Sequence, residues 1–357
     1  MHALGFTLDF LLATDSSLVR ILYTCVVALV FAIGIFNNLC SYFTFQRPQP
    51  RKVSVGNYLF VVSIVNQCAL CILLLKFVHI IDAFKGSDVL DLISCKIIDY
   101  LLFIFTRATF WLTSWITCTR LQIILYPTSH VFKNARIATQ LTSSTMIALG
   151  LMHIPDLYFT TMVMDSCILD VNDSRISTYI RVNTLFNYLA PFVIQTIGIT
   201  SVIVLAARSR SNATGRTQTF RQVFKRMLRT QKELYMTPAI IIVSALPQTI
   251  LSFSLACSQP SAWQRHLLLS AYLLSYTPQV SGFILFVLPS QGYRRELRMT
   301  RIGQIRLLRW VLGSEGNQDG HSMVLNHSRP ALHCVTRTAM LGANRVQGVQ
   351  SSPTRLD

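Results

Sequence analysis

Seven long apolar stretches constrain the fold of this chain more than any other feature of its sequence. They lie at 19–45, 57–81, 96–126, 136–160, 179–206, 234–256 and 267–289. A helix needs about 20 mostly apolar residues to cross the hydrocarbon core of a bilayer. Because the stretches lack the two-residue alternation of barrel strands, they favour helices over a membrane β-barrel. The chain is therefore predicted to be all-α, as a bundle of seven transmembrane helices.

The composition agrees with a membrane protein and argues against several other classes. Hydrophobic residues make up 52% of the 357 residues and charged residues only 13%, which is too oily for a soluble domain of this length. The net charge of +17 comes without a motif that would read bases, so nucleic acid is not an expected partner. The sequence has no metal-ligand spacing, phosphate-binding loop or nucleophile–base pair. We expect neither an enzyme nor a bound metal or cofactor.

The distribution of charged residues sets the expected orientation. Lysine and arginine are concentrated in the 46–56 and 207–233 connections, whereas acidic residues prevail in 1–18, 82–94 and 161–178. Basic connections remain in the cytosol as a rule. The N-terminus is therefore predicted to be extracellular and the C-terminus cytoplasmic.

The same orientation divides the chain into four parts. An extracellular N-terminus of residues 1–18 precedes a seven-span domain at 19–289. In 290–311, apolar residues recur at near-helical intervals between arginines, which predicts a short amphipathic helix on the anionic lipids of the inner leaflet. Residues 312–357 have mixed polarity without periodicity, which is typical of a disordered cytoplasmic tail.

Two cysteines and one asparagine are expected to carry extracellular chemistry. Cys95 lies at the start of the third span and Cys167 in the 161–178 segment. A disulfide between them would lie on the oxidising side, and Cys257 is a weaker competitor. The same segment contains an acceptor sequence for N-glycosylation at Asn172.

The third span carries the strongest family resemblance. Cys95 is followed 25 residues later by Arg120, and Pro127 comes seven residues after that. With seven spans and an outer N-terminus, this spacing resembles the rhodopsin-like (class A) G-protein-coupled receptors. The ending "LPSQGYRREL" is similar to divergent invertebrate members of FMRFamide or neuropeptide receptor type. The resemblance covers about residues 20–300. It implies a Cys95–Cys167 disulfide and contact of Arg120 with the G protein.

Further positions match this family or depart from it. Asn38, Pro191 and Pro247 match residues of the first, fifth and sixth spans that shape the bundle. Asn66 stands where the second span usually has an aspartate, and Thr119 replaces the acid before the arginine. Three more switch positions are altered: Leu121 for tyrosine, Ala245 for tryptophan, and "GFILF" at 282–286 for Asn-Pro-x-x-Tyr. The resemblance therefore implies a receptor with changed activation contacts.

Three ionisable side chains lie inside the spans, where a charge is costly and often functional. Arg107 is in the middle of the third span, Asp99 lies eight residues earlier, and Lys76 is in the second span. By family position all three face a central cavity. They either neutralise one another as a helix-holding set, or Lys76 and Arg107 receive an anionic or carbonyl-rich ligand. Three further residues occupy cavity positions by the same register: Gln248, Tyr272 and Tyr276.

These features predict a plasma-membrane receptor that couples an extracellular ligand to a heterotrimeric G protein. Leu102 stands where amine receptors of the family have an aspartate, so we expect a peptide or another small polar ligand, not an amine. Two alternatives stay open. A transporter or channel would use the three intramembrane charges as a relay, and a non-signalling decoy receptor would be consistent with the altered switch positions.

The orientation predicts which of three glycosylation sequences is used. Asn172 would lie outside the cell, and Asn212 and Asn326 inside it. In eukaryotic cells, Asn172→Gln should therefore remove the glycosidase-sensitive mobility shift, while Asn212→Gln and Asn326→Gln leave it unchanged. A glycan on Asn212 or Asn326 would contradict the orientation.

Overall fold

A computed structural model describes residues 17–80, 88–126, 134–163, 166–169, 173–213, 232–254, 261–305 and 308, and helices form almost all of these residues. The helices are α1 (Ser17–Phe45), α2 (Pro48–Arg51), α3 (Ser54–Ile80), α4 (Asp88–Leu125), α5 (Ala135–Met152), α6 (Ile154–Phe159), α7 (Ser174–Ala213), α8 (Lys232–Ser254), α9 (Ala262–Leu274), α10 (Thr277–Val280) and α11 (Gln291–Arg298). Strands β1 (Thr160–Val163) and β2 (Ser166–Leu169) form one antiparallel hairpin. The all-α prediction is confirmed.

Three helices are long and apolar enough to cross a membrane. They comprise Ile21–Phe45 of α1, Ser54–Val78 of α3 and Ser174–Leu205 of α7. Their length and composition are those of a membrane protein. The other four apolar stretches of the sequence also coincide with helix, in α4, α5 with α6, α8, and α9 with α10.

Many polar side chains are buried inside the bundle beside its apolar clusters, and many large apolar side chains are exposed on its outside. Buried polar residues include Asn37, Asn66, Asn187, Gln195 and Gln279. Exposed apolar residues include Ile21, Leu22, Leu29, Leu189 and Ile197. Soluble proteins bury few polar side chains of this kind. This arrangement suits a surface that faces lipid, with polar groups bonded between helices.

Helix α4 is the central element of the bundle. It packs against α3, α5, α6 and α7 and against both strands of the hairpin. Two apolar clusters surround it. One includes Leu59, Leu112, Ile116 and Phe283, and the other includes Leu70, Phe77, Leu102 and Leu269. Side chains on α4 therefore reach several neighbouring helices at once.

The last apolar stretch does not form one regular helix. Helix α9 ends at Leu274, α10 begins at Thr277, and a π-helical turn follows at Phe283–Val287. Pro278 lies in the first turn of α10. Because proline has no backbone N–H and clashes with the preceding turn, it favours the break between α9 and α10.

The predicted amphipathic segment 290–311 forms a shorter helix than expected. Helix α11 ends at Arg298, and the Thr300 hydroxyl accepts from the Gly303 N–H at 3.1 Å and contacts the Leu297 carbonyl at 2.6 Å. This contact closes the helix end. Gly303 then lies so close to the Leu297 carbonyl that a Cβ there would overlap it. The chain therefore turns where the sequence pattern suggested continued helix.

Gly56 provides a test of the packing between α2 and α3. A Cβ on Gly56 would overlap the backbone carbonyl of Pro50, so the two helices would have to separate. Gly56→Ala should destabilise the protein by about 1–3 kcal/mol and lower the melting temperature of the purified protein in detergent. The matched control is Gly292→Ala, whose Cβ would have Ser290 Oγ as its nearest neighbour at 3.9 Å. Equal melting temperatures for Gly56→Ala and the wild type would contradict this packing.

Candidate functional site

A break between α5 and α6 creates the most polar buried site near the middle of α4. Helix α5 ends at Met152 and α6 begins at Ile154, with Pro155 in its first turn. Proline cannot donate the hydrogen bond that would continue α5. His153 occupies the break and is fully buried. The proline therefore places a histidine ring inside the bundle.

Neighbouring helices satisfy the carbonyl groups that this break exposes. The last carbonyls of a helix have no partner within the helix. Tyr179 and Asn183 of α7 both donate to the Met152 carbonyl at 3.1 Å. Tyr100 of α4 donates to the Gly150 carbonyl at 3.0 Å. Side chains of α4 and α7 therefore both hydrogen-bond the backbone at the break.

Arg107 of α4 points into this break and is 1% exposed. Its guanidinium bonds the His153 ring and donates to Thr184 Oγ1 of α7 at 3.2 Å. Two aromatic rings lie alongside, with the guanidinium carbon 5.1 Å from the ring centre of Phe103 and 5.8 Å from that of Tyr188. Such rings attract a cation through their negative faces. Arg107 therefore joins α4, the α5–α6 break and α7.

His153 connects Arg107 to a carboxylate. Its Nδ1 bonds Asp156 of α6, and both ring nitrogens lie close to the Arg107 Nη1. Arginine can only donate hydrogen bonds, so the ring must offer it a nitrogen without a proton. A neutral His153 that donates from Nδ1 to Asp156 and accepts at Nε2 from Arg107 satisfies all three groups. The result is a relay from a cation through an imidazole to an anion.

A separate ion pair joins α3 and α4. Lys76 Nζ lies 2.5 Å from Asp99 Oδ1, and the two side chains are 12% and 15% exposed. Asp99 and Arg107 of α4 contact different neighbours, although only eight residues separate them. Eight residues at about 100° each amount to two turns plus about 80°. Asp99 therefore faces α3, while Arg107 faces α5 and α7.

Three other predicted cavity residues lie on or beside α8, α9 and α10. The Tyr272 and Tyr276 hydroxyls are 3.0 Å apart, and both side chains are buried. Gln248 of α8 is 3% exposed, and its Oε1 has no partner within the described residues. A buried oxygen in this state needs a hydrogen-bond donor.

The matched asparagines of the first two long helices are buried and hydrogen-bonded. Asn38 of α1 donates to Gln67 Oε1 of α3 at 3.4 Å. Asn66 of α3 accepts from Thr109 Oγ1 of α4 at 2.7 Å. Both residues therefore link neighbouring helices.

The two predicted helix-shaping prolines lie inside α7 and α8. Ser114 of α4 donates to the Pro191 carbonyl at 3.0 Å, and Gln195 donates to Ser114 at 3.1 Å. These bonds tie α7 to α4 at the proline. Pro247 of α8 directly precedes the buried Gln248.

Arg120 lies near the far end of α4, five residues before the last helical residue. It is half-buried. The preceding Thr119 is 3% exposed and lies beside Tyr58 of α3. A neutral contact between α3 and α4 thus occupies the position where the receptors that the sequence resembles have an acid.

The predicted extracellular chemistry falls mainly outside the described side chains. Cys95 lies on α4 and is 2% exposed. The backbone of Cys167 lies on β2, opposite Met162 of β1. Its side chain and the whole of Asn172 lie outside the described part of the chain. The Cys95–Cys167 pairing and the glycan stay predictions.

The sequence interpretation missed the partners of Arg107. His153 and Asp156 flank Pro155 within an apolar stretch, and this pattern is the signal that could have identified them. Two ionisable residues beside a proline in a span mark a helix break that can hold a charge. Thr184 and Tyr188 gave no comparable signal, because hydroxyl and aromatic groups are common in such helices.

Comparison with known proteins adds no further assignment. A scan of protein-family models and a search of curated proteins both found no match to the chain.

Double-mutant cycles can test whether the Lys76–Asp99 pair and the Arg107–His153–Asp156 chain are energetically separate. Lys76→Met and Asp99→Asn should be coupled by about 1 kcal/mol or more, because each removes the partner of the other. Arg107→Met and Asp156→Asn should also be coupled through His153. Arg107→Met and Asp99→Asn should add within about 0.5 kcal/mol. The measurement is thermal unfolding of the purified single and double variants. Coupling between Arg107 and Asp99 as strong as that between Lys76 and Asp99 would contradict the separation.

Proposed function

We propose that this protein is a G-protein-coupled receptor of the plasma membrane, with seven crossings and an extracellular N-terminus. The observation that carries the proposal is the composition of α4. This central helix has Cys95 near one end, the buried Arg107 in its middle and Arg120 near the other end. It also packs against α3, α5 and α7. A helix of this kind can connect an outer site to an inner one.

In this proposal a ligand shifts a bundle between two states. A ligand can shift such an equilibrium only by the difference in its affinity for the two states. Opening would move the inner ends of α7 and α8 and admit the G protein beside Arg120. Pro191 and Pro247 support this proposal, because a proline weakens the helix ladder at a defined point. The chain itself needs no cofactor or catalytic group for such a transition.

The pairing of Lys76 and Arg107 with carboxylates narrows the class of ligand that we expect. Both intramembrane cations already have a carboxylate, Lys76 directly and Arg107 through His153. An anionic ligand would have to compete with these carboxylates. Gln248 Oε1, by contrast, offers a buried acceptor to a donor such as a peptide N–H. A peptide or another small polar ligand therefore suits the site, and Leu102 in place of an aspartate argues against an amine.

Two observations support the extracellular part of the proposal. The β1–β2 hairpin, which carries Cys167, packs against α4. Cys95 is also not among the free cysteines of the described residues. A Cys95–Cys167 disulfide would fix this hairpin over the outer end of the bundle. Glycosylation of Asn172 belongs to the same proposed surface.

The inner end is proposed to rest on anionic lipids. Helix α11 buries Leu297, and Tyr293 packs edge-on against Phe45 of α1 with ring centres 5.0 Å apart. Glu296 lies 3.5 Å from Arg47. Two exposed basic residues of this region would face the inner leaflet: Arg295 and Arg301.

A transporter or channel is the principal rival, and the relay through His153 is the observation that favours it. Proton relays in membrane proteins use chains of this type. Ion flux or uptake in proteoliposomes that Arg107→Leu abolishes would support this rival. A decoy receptor is the second rival. It would reach the cell surface and bind ligand without driving nucleotide exchange.

Arg120 provides the direct test of signalling. Cells that express the chain with a promiscuous G protein would first be screened with peptide libraries, and nucleotide exchange would then be measured with the active peptide. Arg120→Ala should keep surface expression and reduce exchange at least about tenfold, the effect of losing about 1.4 kcal/mol of coupling. Arg175→Ala, which removes an exposed charge at the opposite end of the bundle, is the control. Exchange that is unchanged by Arg120→Ala would count against the receptor.

A further inference from the structure

Helix α5 turns polar side chains away from the bundle. Its buried residues recur every three or four positions, so they share one side of the helix: Ala138, Thr142, Thr145 and Leu149. The opposite side is exposed, and its first half includes Gln140, Ser143 and Ser144. Ile147 and Leu151 continue this exposed side toward the end of the helix. The outward face of α5 is therefore half polar and half apolar.

The polar half of this face lies deep in the membrane. In the proposed receptor α5 crosses the membrane from Ala135 at the inner end to Met152 at the outer end. At 1.5 Å per residue the helix is about 27 Å long, close to the thickness of about 30 Å of the hydrocarbon core. Ser143 and Ser144 then lie at the midpoint, and Gln140 lies about 5 Å nearer the cytoplasm. Lipid headgroups begin about 15 Å from the midpoint, so they do not reach the two serines.

The side chain of Gln140 has the largest unmet need for hydrogen bonds on this face. A glutamine amide has two donor protons and an acceptor oxygen. Within the described residues, neither the Gln140 amide nor the Ser143 hydroxyl has a hydrogen-bond partner. Ser144 donates to the Leu141 carbonyl at 3.0 Å, and its oxygen can still accept. Because the hydrocarbon core offers no water, these groups need a partner from another molecule.

Other outward faces of the bundle do not share this need. The large exposed side chains of α1 are apolar, among them Leu29, Ile33 and Phe36. On α7, Thr196 and Thr200 are exposed, but their hydroxyls donate to carbonyls one turn earlier in the same helix, at 2.9 and 2.8 Å. Lipid alone can cover these faces. The face of α5 requires a neighbour with polar groups at the same depth.

We propose that Gln140, Ser143 and Ser144 form an interface through which α5 pairs with α5 of a second copy of this chain. Two copies inserted in the same orientation can be related by a two-fold axis along the membrane normal, which brings the same patch of both together. Each residue then lies at the same depth as its counterpart. Because an amide both donates and accepts, Gln140 can bond its counterpart directly. The short serine side chains allow the helices to approach closely.

A second copy fits this face better than a lipid or an unlike helix does. Lipid hydroxyl and headgroup atoms remain near the membrane surface, far from Ser143. An unlike helix would need polar groups of its own at this depth, whereas a second copy always supplies them. Arg136 is exposed on the same side of α5, but it is the second residue of the helix. Its guanidinium can extend to the headgroups and away from its counterpart.

Self-association of the full-length protein tests the pairing without any signalling readout. Two differently labelled pools are reconstituted together in phosphatidylcholine vesicles, and energy transfer is measured over a range of protein-to-lipid ratios. Transfer should rise with the ratio. Gln140→Leu, which keeps the approximate size of the side chain, should raise the apparent dissociation constant about fivefold or more, and Gln140→Asn should restore part of the loss. Thr196→Val, which removes an exposed hydroxyl from α7, is the matched control and should change nothing.

Cysteine cross-linking in the same vesicles locates the interface. Under mild oxidation, Ser143→Cys should form more disulfide-linked dimer than the wild type with its native cysteines does, because position 143 lies beside its counterpart. Leu29→Cys, on the exposed face of α1, should not exceed the wild type. Cross-linking at position 29 but not at position 143 would place the contact on α1 and overturn the proposal.

Two results of the association measurement would also overturn it. Transfer that stays at the level of random proximity at every ratio would show that a second copy does not cover this face, which would leave lipid or an unlike protein. Equal dissociation constants for Gln140→Leu and the wild type would show that the copies meet elsewhere.

The pairing rests on the proposed crossing of α5, and thiol labelling separates the two. Position 143 should be shielded in intact vesicles, so Ser143→Cys should react with a charged, water-soluble maleimide no more than the wild type does. Greater reaction would mean that α5 does not cross the membrane here, and the seven crossings would fail together with the pairing. Shielding without dimer formation would sink the pairing alone.

Discussion

The permanent charge of Arg107 is the constraint on which the middle of this bundle depends. A guanidinium keeps its proton under all ordinary conditions, and its transfer from water into a protein interior costs several kcal/mol unless the charge is paired and hydrogen-bonded. Arg107 is 1% exposed, so the fold must supply those partners. It does so by breaking α5 at Pro155, which turns His153 and Asp156 toward the cation. The break between α5 and α6 thus supplies the partners that the buried charge of Arg107 requires.

Neutral polar contacts hold the helices together around this site. Trp111 of α4 donates to Asn187 of α7 at 2.9 Å, and Trp115 donates to Thr145 of α5 at 3.1 Å. The apolar outer faces of these helices gain little from association in lipid, because lipid tails are as apolar as the side chains. Side-chain hydrogen bonds between helices therefore fix which faces meet. The same reasoning explains why buried polar residues are so frequent in a chain that is mostly apolar.

The helices could be predicted from the sequence, but the pairing of the charges could not. Apolar stretches of sufficient length identify helices because lipid requires every backbone group to be bonded internally, and this holds whatever the partners are. The direction in which a side chain points depends on modest differences in its angular position around the helix axis. Asp99 and Arg107 differ by about 80° around α4, which is enough to send one to Lys76 and the other to His153. The helix end at Arg298 was missed for a similar reason, because it depends on one hydroxyl contact of Thr300.

The positions of charged and neutral contacts along α4 bear on how the proposed receptor would respond to a ligand. The middle of α4 carries the relay from Arg107 to Asp156, whereas near its C-terminal end the neutral side chains of Thr119 and Tyr58 lie together. A contact between neutral groups is easier to exchange for water than a buried charge network is. This contact between α3 and α4 should therefore yield before the relay does. A ligand that moves α7 against the relay would act on the stiffest part of the bundle, and the continuous helix α4 would carry that displacement to Arg120.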